Sequence, residues 1–82
     1  MKTCDFDGRR NISGERIRSR RQKLRLSQAE LAAQMQTEGV GIEQDALSRI
    51  ESGMRMVQDY ELKALAKKLG VTADWLMDSD NE

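Results

Sequence analysis

The segment Ser27-Gln28-Ala29-Glu30 narrows what this chain can fold into more than any other. A serine hydroxyl accepts from the amide three residues on while a glutamate carboxylate reaches back to the serine amide, so two donors orphaned at a helix start are satisfied together. Leu26 and Leu31 flank this capping box as a hydrophobic staple, which predicts a helix beginning at Gln28. The pattern carries it to Met35 or Gln36, buries Leu31, Ala32 and Met35, and leaves Ala29, Ala32 and Ala33 small enough for close helix packing. Two glycines within Thr37–Gly41 end it.

The rest of the chain is punctuated in the same way. Ile17, Arg21 and Leu24 share one face of a first helix from Ser13 or Gly14 to Leu24, whose other face is almost entirely Arg and Lys. Leu47 and Ile50 mark a helix over Gln44–Ser52, stapled by Ile42, weakly capped by Glu43 and stopped by Gly53. Leu62, Leu65, Ala66 and Leu69 define a helix over Asp59–Leu69 with Gly70 as its stop. Thr72 caps a short last helix through Met77, with Val71 and Leu76 as its staple and Trp75 turned inward. Trp75, Leu69, Leu65, Leu62 and Tyr60 are expected in the core, whereas Met54, Met56 and Met77 fit either a core or a dimer seam. Residues 1–12 read as a flexible arm, 13–77 as one domain and 78–82 as a disordered acidic tail.

Composition limits the chemistry. The 82 residues make one small domain, and the absence of proline with one Trp, one Tyr and one Phe favours helices packed by aliphatic side chains. With no histidine and a single cysteine, Cys4, the chain offers no internal disulfide, no Cys/His metal site and no His-dependent catalysis, so no cofactor and no enzyme is expected. No apolar run approaches the ~18 residues of a membrane span. Met1 to Arg10 carries Asp5 and Asp7 and no apolar stretch like a secretory leader, which together predict a cytoplasmic protein. The formal net charge of zero conceals a division. Residues 1–27 hold nine basic against three acidic side chains, a surplus of six positive charges, and residues 28–82 hold five against eleven. A basic stretch of this kind suits phosphate, although a solvated helix face gives the same pattern.

Four blocks in order then resemble one family. They are Arg16-Ile17-Arg18-Ser19-Arg20-Arg21, Leu26-Ser27-Gln28-Ala29-Glu30-Leu31-Ala32, Leu47-Ser48-Arg49-Ile50-Glu51-Ser52-Gly53, and the run from Leu65 to Leu76. The chain resembles the Cro/cI-type helix-turn-helix family over about Arg16 to Met77. The resemblance implies an all-α, lambda-repressor-like bundle of five short helices. It further implies a transcriptional regulator, expected to be a repressor, that reads double-stranded DNA as a homodimer on a two-fold related site. A protein-interaction module on the same fold, such as an antitoxin or adaptor with a protein partner, is the alternative.

By this resemblance Gln44 is the first base-reading side chain, with Asp45, Ser48 and Arg49 as further base contacts. Phosphate contacts fall to Gln28, Arg16, Arg18, Arg20, Gly53 and Arg55, and Arg9 and Arg10 are further candidates from the arm. Arg21 and Glu51 match a buried ion pair joining the first and third helices. Two departures stand out. Gln36–Val40 reads as an insertion, either a spacer or a segment that leans on phosphate or a partner, and Glu43 and Asp45 put two carboxylates near the groove. Cys4 is read as incidental.

Overall fold

Most helix ends among the described residues have a local chemical reason. The computed structural model describes residues 8–78, which form α1 (Gly14–Lys23), α2 (Gln28–Gln36), α3 (Gln44–Glu51), α4 (Asp59–Leu69) and α5 (Ala73–Met77). No strand occurs among the described residues. At α2 both arms of the capping box form, Glu30 N donating to Ser27 Oγ over 3.0 Å and Ser27 N to Glu30 Oε1 over 2.8 Å. Thr72 caps α5 by accepting from the Trp75 amide at 3.0 Å. Ser13, by contrast, makes no side-chain cap at α1, and Asn11 Oδ1 accepts the Gly14 amide at 2.8 Å instead.

α1 stops in an unusual way. Its last carbonyls accept from the amides of Arg25 and Leu26, which requires Arg25 to take a positive φ of 62° that a glycine would occupy without strain. The chain therefore turns away one residue before the predicted end, and Leu24 is left exposed rather than joining the inward face. α3 ends at Glu51, with Ser52 as its cap.

α1 packs on α3, α4 and α5, α2 packs on α3 and α4, and α4 packs on α5. Ile17, Leu31, Met35, Ile42, Leu47, Ile50, Leu65, Leu69 and Leu76 are fully enclosed between them. Burying each such side chain contributes about 1.5 to 3 kcal/mol before conformational entropy is subtracted.

Two aromatic expectations fail. Trp75 is 37% exposed and Tyr60 59% exposed. Neighbouring helical side chains point ~100° apart, so the inward position in α5 goes to Leu76 and the one in the first turn of α4 goes to Glu61. Trp75 instead lies under the Arg16 guanidinium, 4.4 Å from the ring centroid, a cation–π contact.

The segment expected as a spacer is also docked. Val40 is buried in the core, and Glu38 bridges to Lys67 at 3.2 Å and to Lys68 at 3.1 Å on α4. Residues 9–11, expected within a loose arm, are tied down as well, beginning with Arg10 N donating to Gly53 O at 2.8 Å. Residues 1–7 of the expected arm, with Cys4, and residues 79–82 of the tail lie outside the described residues.

Candidate nucleic-acid interface

α3 is two-faced because its apolar residues lie three apart. Leu47, Ile50 and Glu51 are buried, and Gln44, Asp45, Ser48 and Arg49 are all exposed along the opposite side. The four predicted base-reading residues are thus brought together in one row. Asp45 and Arg49 stand a helical turn apart with carboxylate and guanidinium 4.0 Å from each other. This pairing gives Asp45 a local positive partner, which moderates the electrostatic objection to a carboxylate near phosphate.

Behind that row the helix is anchored by polar contacts. Arg21 grips Glu51 with two parallel bonds, Nε to Oε2 at 2.7 Å and Nη2 to Oε1 at 2.9 Å, and its Nη1 donates to the Leu26 carbonyl at 2.8 Å. Both side chains are nearly enclosed. The carboxylate raises the Arg21 pKa further above its ordinary value through the hydrogen bond and its charge, against the opposing effect of burial. Gln28 completes the cluster by donating Nε2 to Glu51 Oε1 at 3.0 Å. One carboxylate thereby joins α1, α2 and α3, fixing the orientation of α3 relative to the start of α2.

The predicted phosphate contacts fare less uniformly. Arg18 is exposed on α1. Arg20 donates Nε to the Leu69 carbonyl at 2.8 Å and so closes the end of α4, while Arg16 covers Trp75 on α5. These two arginines, a helical turn apart, face α4 and α5 rather than joining the α3 row. Arg55 is held by Glu61 through Nη1 to Oε1 at 3.0 Å and Nη2 to Oε2 at 3.2 Å. Burial pushes the Glu61 carboxyl up, but hydrogen bonds from Arg55 and the Gln58 amide, with the Arg55 charge, hold it below the ordinary range.

The loop amides are engaged too. Gly53 N donates to Ile50 O at 3.0 Å and Met54 N to Arg49 O at 2.8 Å, closing the last turn of α3. Arg20, Arg55 and the Gly53 amide, all expected at phosphate, thus each have an intramolecular partner as well.

Sequence reasoning missed Asn11 and Glu38. Asn11 donates Nδ2 to the carbonyls of Ile50 at 3.0 Å and Arg55 at 2.8 Å, residues 39 and 44 positions away. A local signal existed only for its bond to Gly14, three residues on.

Comparison with known proteins places this geometry. The model of the helix-turn-helix family matches residues 17–76. The chain is similar to the P22 c2 repressor protein, whose crystal structure was solved in complex with the synthetic operator 9T in the presence of Tl+. The two are 36% identical with a TM-score of 0.71, covering 85% of this chain and 98% of that one.

Proposed function

The chain belongs to the helix-turn-helix family, and from that premise we propose a way of working. It is a sequence-specific DNA-binding transcriptional regulator. The unit that performs this task is residues 13–77, and α3 lies in the major groove with Gln44, Asp45, Ser48 and Arg49 toward base edges. A Gln amide both donates and accepts, as an adenine edge demands, and an Arg fork suits guanine O6 and N7. Asp45 orients Arg49 or accepts from cytosine N4. Arg18 and the start of α2 at Gln28 take the phosphates. No cofactor or catalytic step enters this reading, and it places the protein with its DNA in the cytoplasm as a repressor that occludes a promoter.

The observation that carries the proposal is the pairing of an exposed polar row on α3 with an enclosed anchor, Arg21–Glu51–Gln28, on its reverse side. A reading helix needs both, because side chains aimed at base edges discriminate only when their backbone is held still. One such module covers about 600 to 1,000 Å² on DNA, so useful specificity calls for a homodimer on two half-sites about 34 Å apart. Met54 and Met56 are each exposed in the segment after α3 and suit the seam of such a dimer.

The test is fluorescence anisotropy of a labelled duplex, enriched from random sequence, across about 50 to 200 mM salt. Saturable binding with a steep negative salt slope and a two-fold related motif is expected. Gln44→Ala should then lower affinity for that motif by about 1 to 3 kcal/mol and leave random duplex nearly unchanged. Folded protein that binds no duplex at micromolar concentration and low salt would transfer the assignment to a protein partner.

A further inference from the structure

The C-terminal end of a reading helix is a mechanical problem, because its last carbonyls need partners and its exit loop swings with it. In this molecule residues that precede α1 add partners to those that the exit loop supplies through the Gly53 and Met54 amides. Asn11 Nδ2 bonds the carbonyls of Ile50 and Arg55, the Arg10 amide bonds Gly53 O, and Arg9 Nη2 reaches Glu51 O at 3.4 Å. Meanwhile Asn11 Oδ1 accepts the Gly14 amide, so a single side chain joins the start of α1, the end of α3 and the loop after it.

Two glycines make room for this arrangement. A Cβ on Gly14 would collide with the Ile50 carbonyl, and a Cβ on Gly53 would lie 2.5 Å from Arg9 Cζ. The Arg9 guanidinium therefore lies across the bare backbone of Gly53, where Glu15 flanks it at 3.5 Å.

We propose that Arg9–Asn11 form a strap that sets the position of α3 on DNA, with Asn11 and Arg9 as positioning residues and neither a DNA contact. The inference rests on the DNA-reading function proposed above. Asn11 acts through the last turn of α3 and so influences the row that begins at Gln44, whereas on α1 it bonds only the Gly14 amide and none of the basic side chains. The strap therefore governs discrimination between sequences and leaves general attraction to phosphate alone.

Two substitutions test it. Asn11→Asp retains an acceptor for the Gly14 amide but sets a carboxylate against two carbonyl oxygens. Arg9→Gln removes a charge that a phosphate contact would need. Both are measured for melting temperature, for affinity to the enriched and to a random duplex, and for the slope of affinity against salt.

Asn11→Asp is expected to weaken the enriched duplex about tenfold and the random duplex less than about twofold. Arg9→Gln is expected to weaken the enriched duplex more than the random one, with the salt slope unchanged. Equal losses on both duplexes, no loss in either variant, or a fall of about one in the salt slope for Arg9→Gln would overturn the strap, the last because it marks a phosphate contact. If Asn11→Asp does not fold, Arg9→Gln decides alone.

If the unaltered protein enriches no motif, the DNA-reading proposal falls and the strap is judged separately. Amide exchange at Gly53 and Met54 should then be faster in Asn11→Asp, or in Arg9→Gln if Asn11→Asp does not fold, while α4 stays protected. Unchanged exchange at both would overturn it.

Discussion

Glu51 and Glu38 do formally similar work in contrasting surroundings. Each carboxylate draws two side-chain donors from elsewhere in the chain, Arg21 and Gln28 for Glu51, Lys67 and Lys68 for Glu38. Glu51 is enclosed between helices and held by a planar fork, whereas Glu38 sits on the surface segment before α3 and meets two flexible ammonium groups. An enclosed ion must be matched by its partners because water cannot replace them, and a half-buried one such as Glu38 is still partly served by water. The first contact therefore sets the relation of three helices, and the second tacks a segment onto α4.

The largest test breaks the enclosed contact. Arg21→Ala strands the Glu51 carboxylate and should cost about 3 to 5 kcal/mol in denaturant unfolding; a loss below about 1 kcal/mol would refute the contrast. Replacing both partners by apolar residues of similar volume sharpens it. That pair should recover most of the stability, because a buried ion pair is weak against well-packed hydrophobic side chains.

Arg55 and Glu61 lie between the extremes. Glu61 is buried and Arg55 half-buried, so Arg55→Ala should cost about 1 to 3 kcal/mol, with the Gln58 amide still serving the carboxylate. Glu61 is held below its ordinary value of 4.5, so the unfolded chain binds its proton more readily. Its contribution is thus present above about 4.5 and lost as pH falls through the lower folded value, and the deficit of Glu61→Gln should shrink on acidification in thermal melts. A deficit independent of pH would argue against the ion pair.

Glu38→Gln should have a smaller effect, confined to low salt. Hydrogen bonds from Lys68 and Lys67, with their charges, hold Glu38 below its ordinary range against the opposing effect of desolvation. The difference from the unaltered protein should vanish near 1 M salt, where the screening length is about 3 Å. The smallest expected change is a gain. Arg25→Gly relieves the positive φ at the end of α1 and should raise stability by about 0.5 kcal/mol, partly offset by the flexibility glycine adds to the unfolded chain.

The legible parts of the fold share a property. Helices announced by Ser27, Thr72 and Gly70 start and stop where those residues predict, and the one before Gly53 ends one residue early, because a cap joins groups three to five positions apart. The exposed row on α3 was legible too, since the spacing of Leu47 and Ile50 settles which face is outward. Tyr60 and Trp75 were misread because the count of apolar residues cannot tell which neighbour takes the inward position. Glu61 took that place on α4 through Arg55, which no periodicity of hydrophobic residues predicts.

The distribution of arginines divides the two kinds of information most clearly. Charge and helical spacing determined that α1 is basic, that five short helices form, and that Gln44, Asp45, Ser48 and Arg49 share a face. Only the tertiary structure decided that Arg20 closes α4, that Arg16 covers Trp75, that Arg55 serves Glu61 and that Asn11 holds the end of α3. Caps and periodicity act within a few residues of chain. A long polar side chain instead bonds whichever carbonyl or carboxylate packing brings within about 3 Å, and the chain alone does not specify which one arrives.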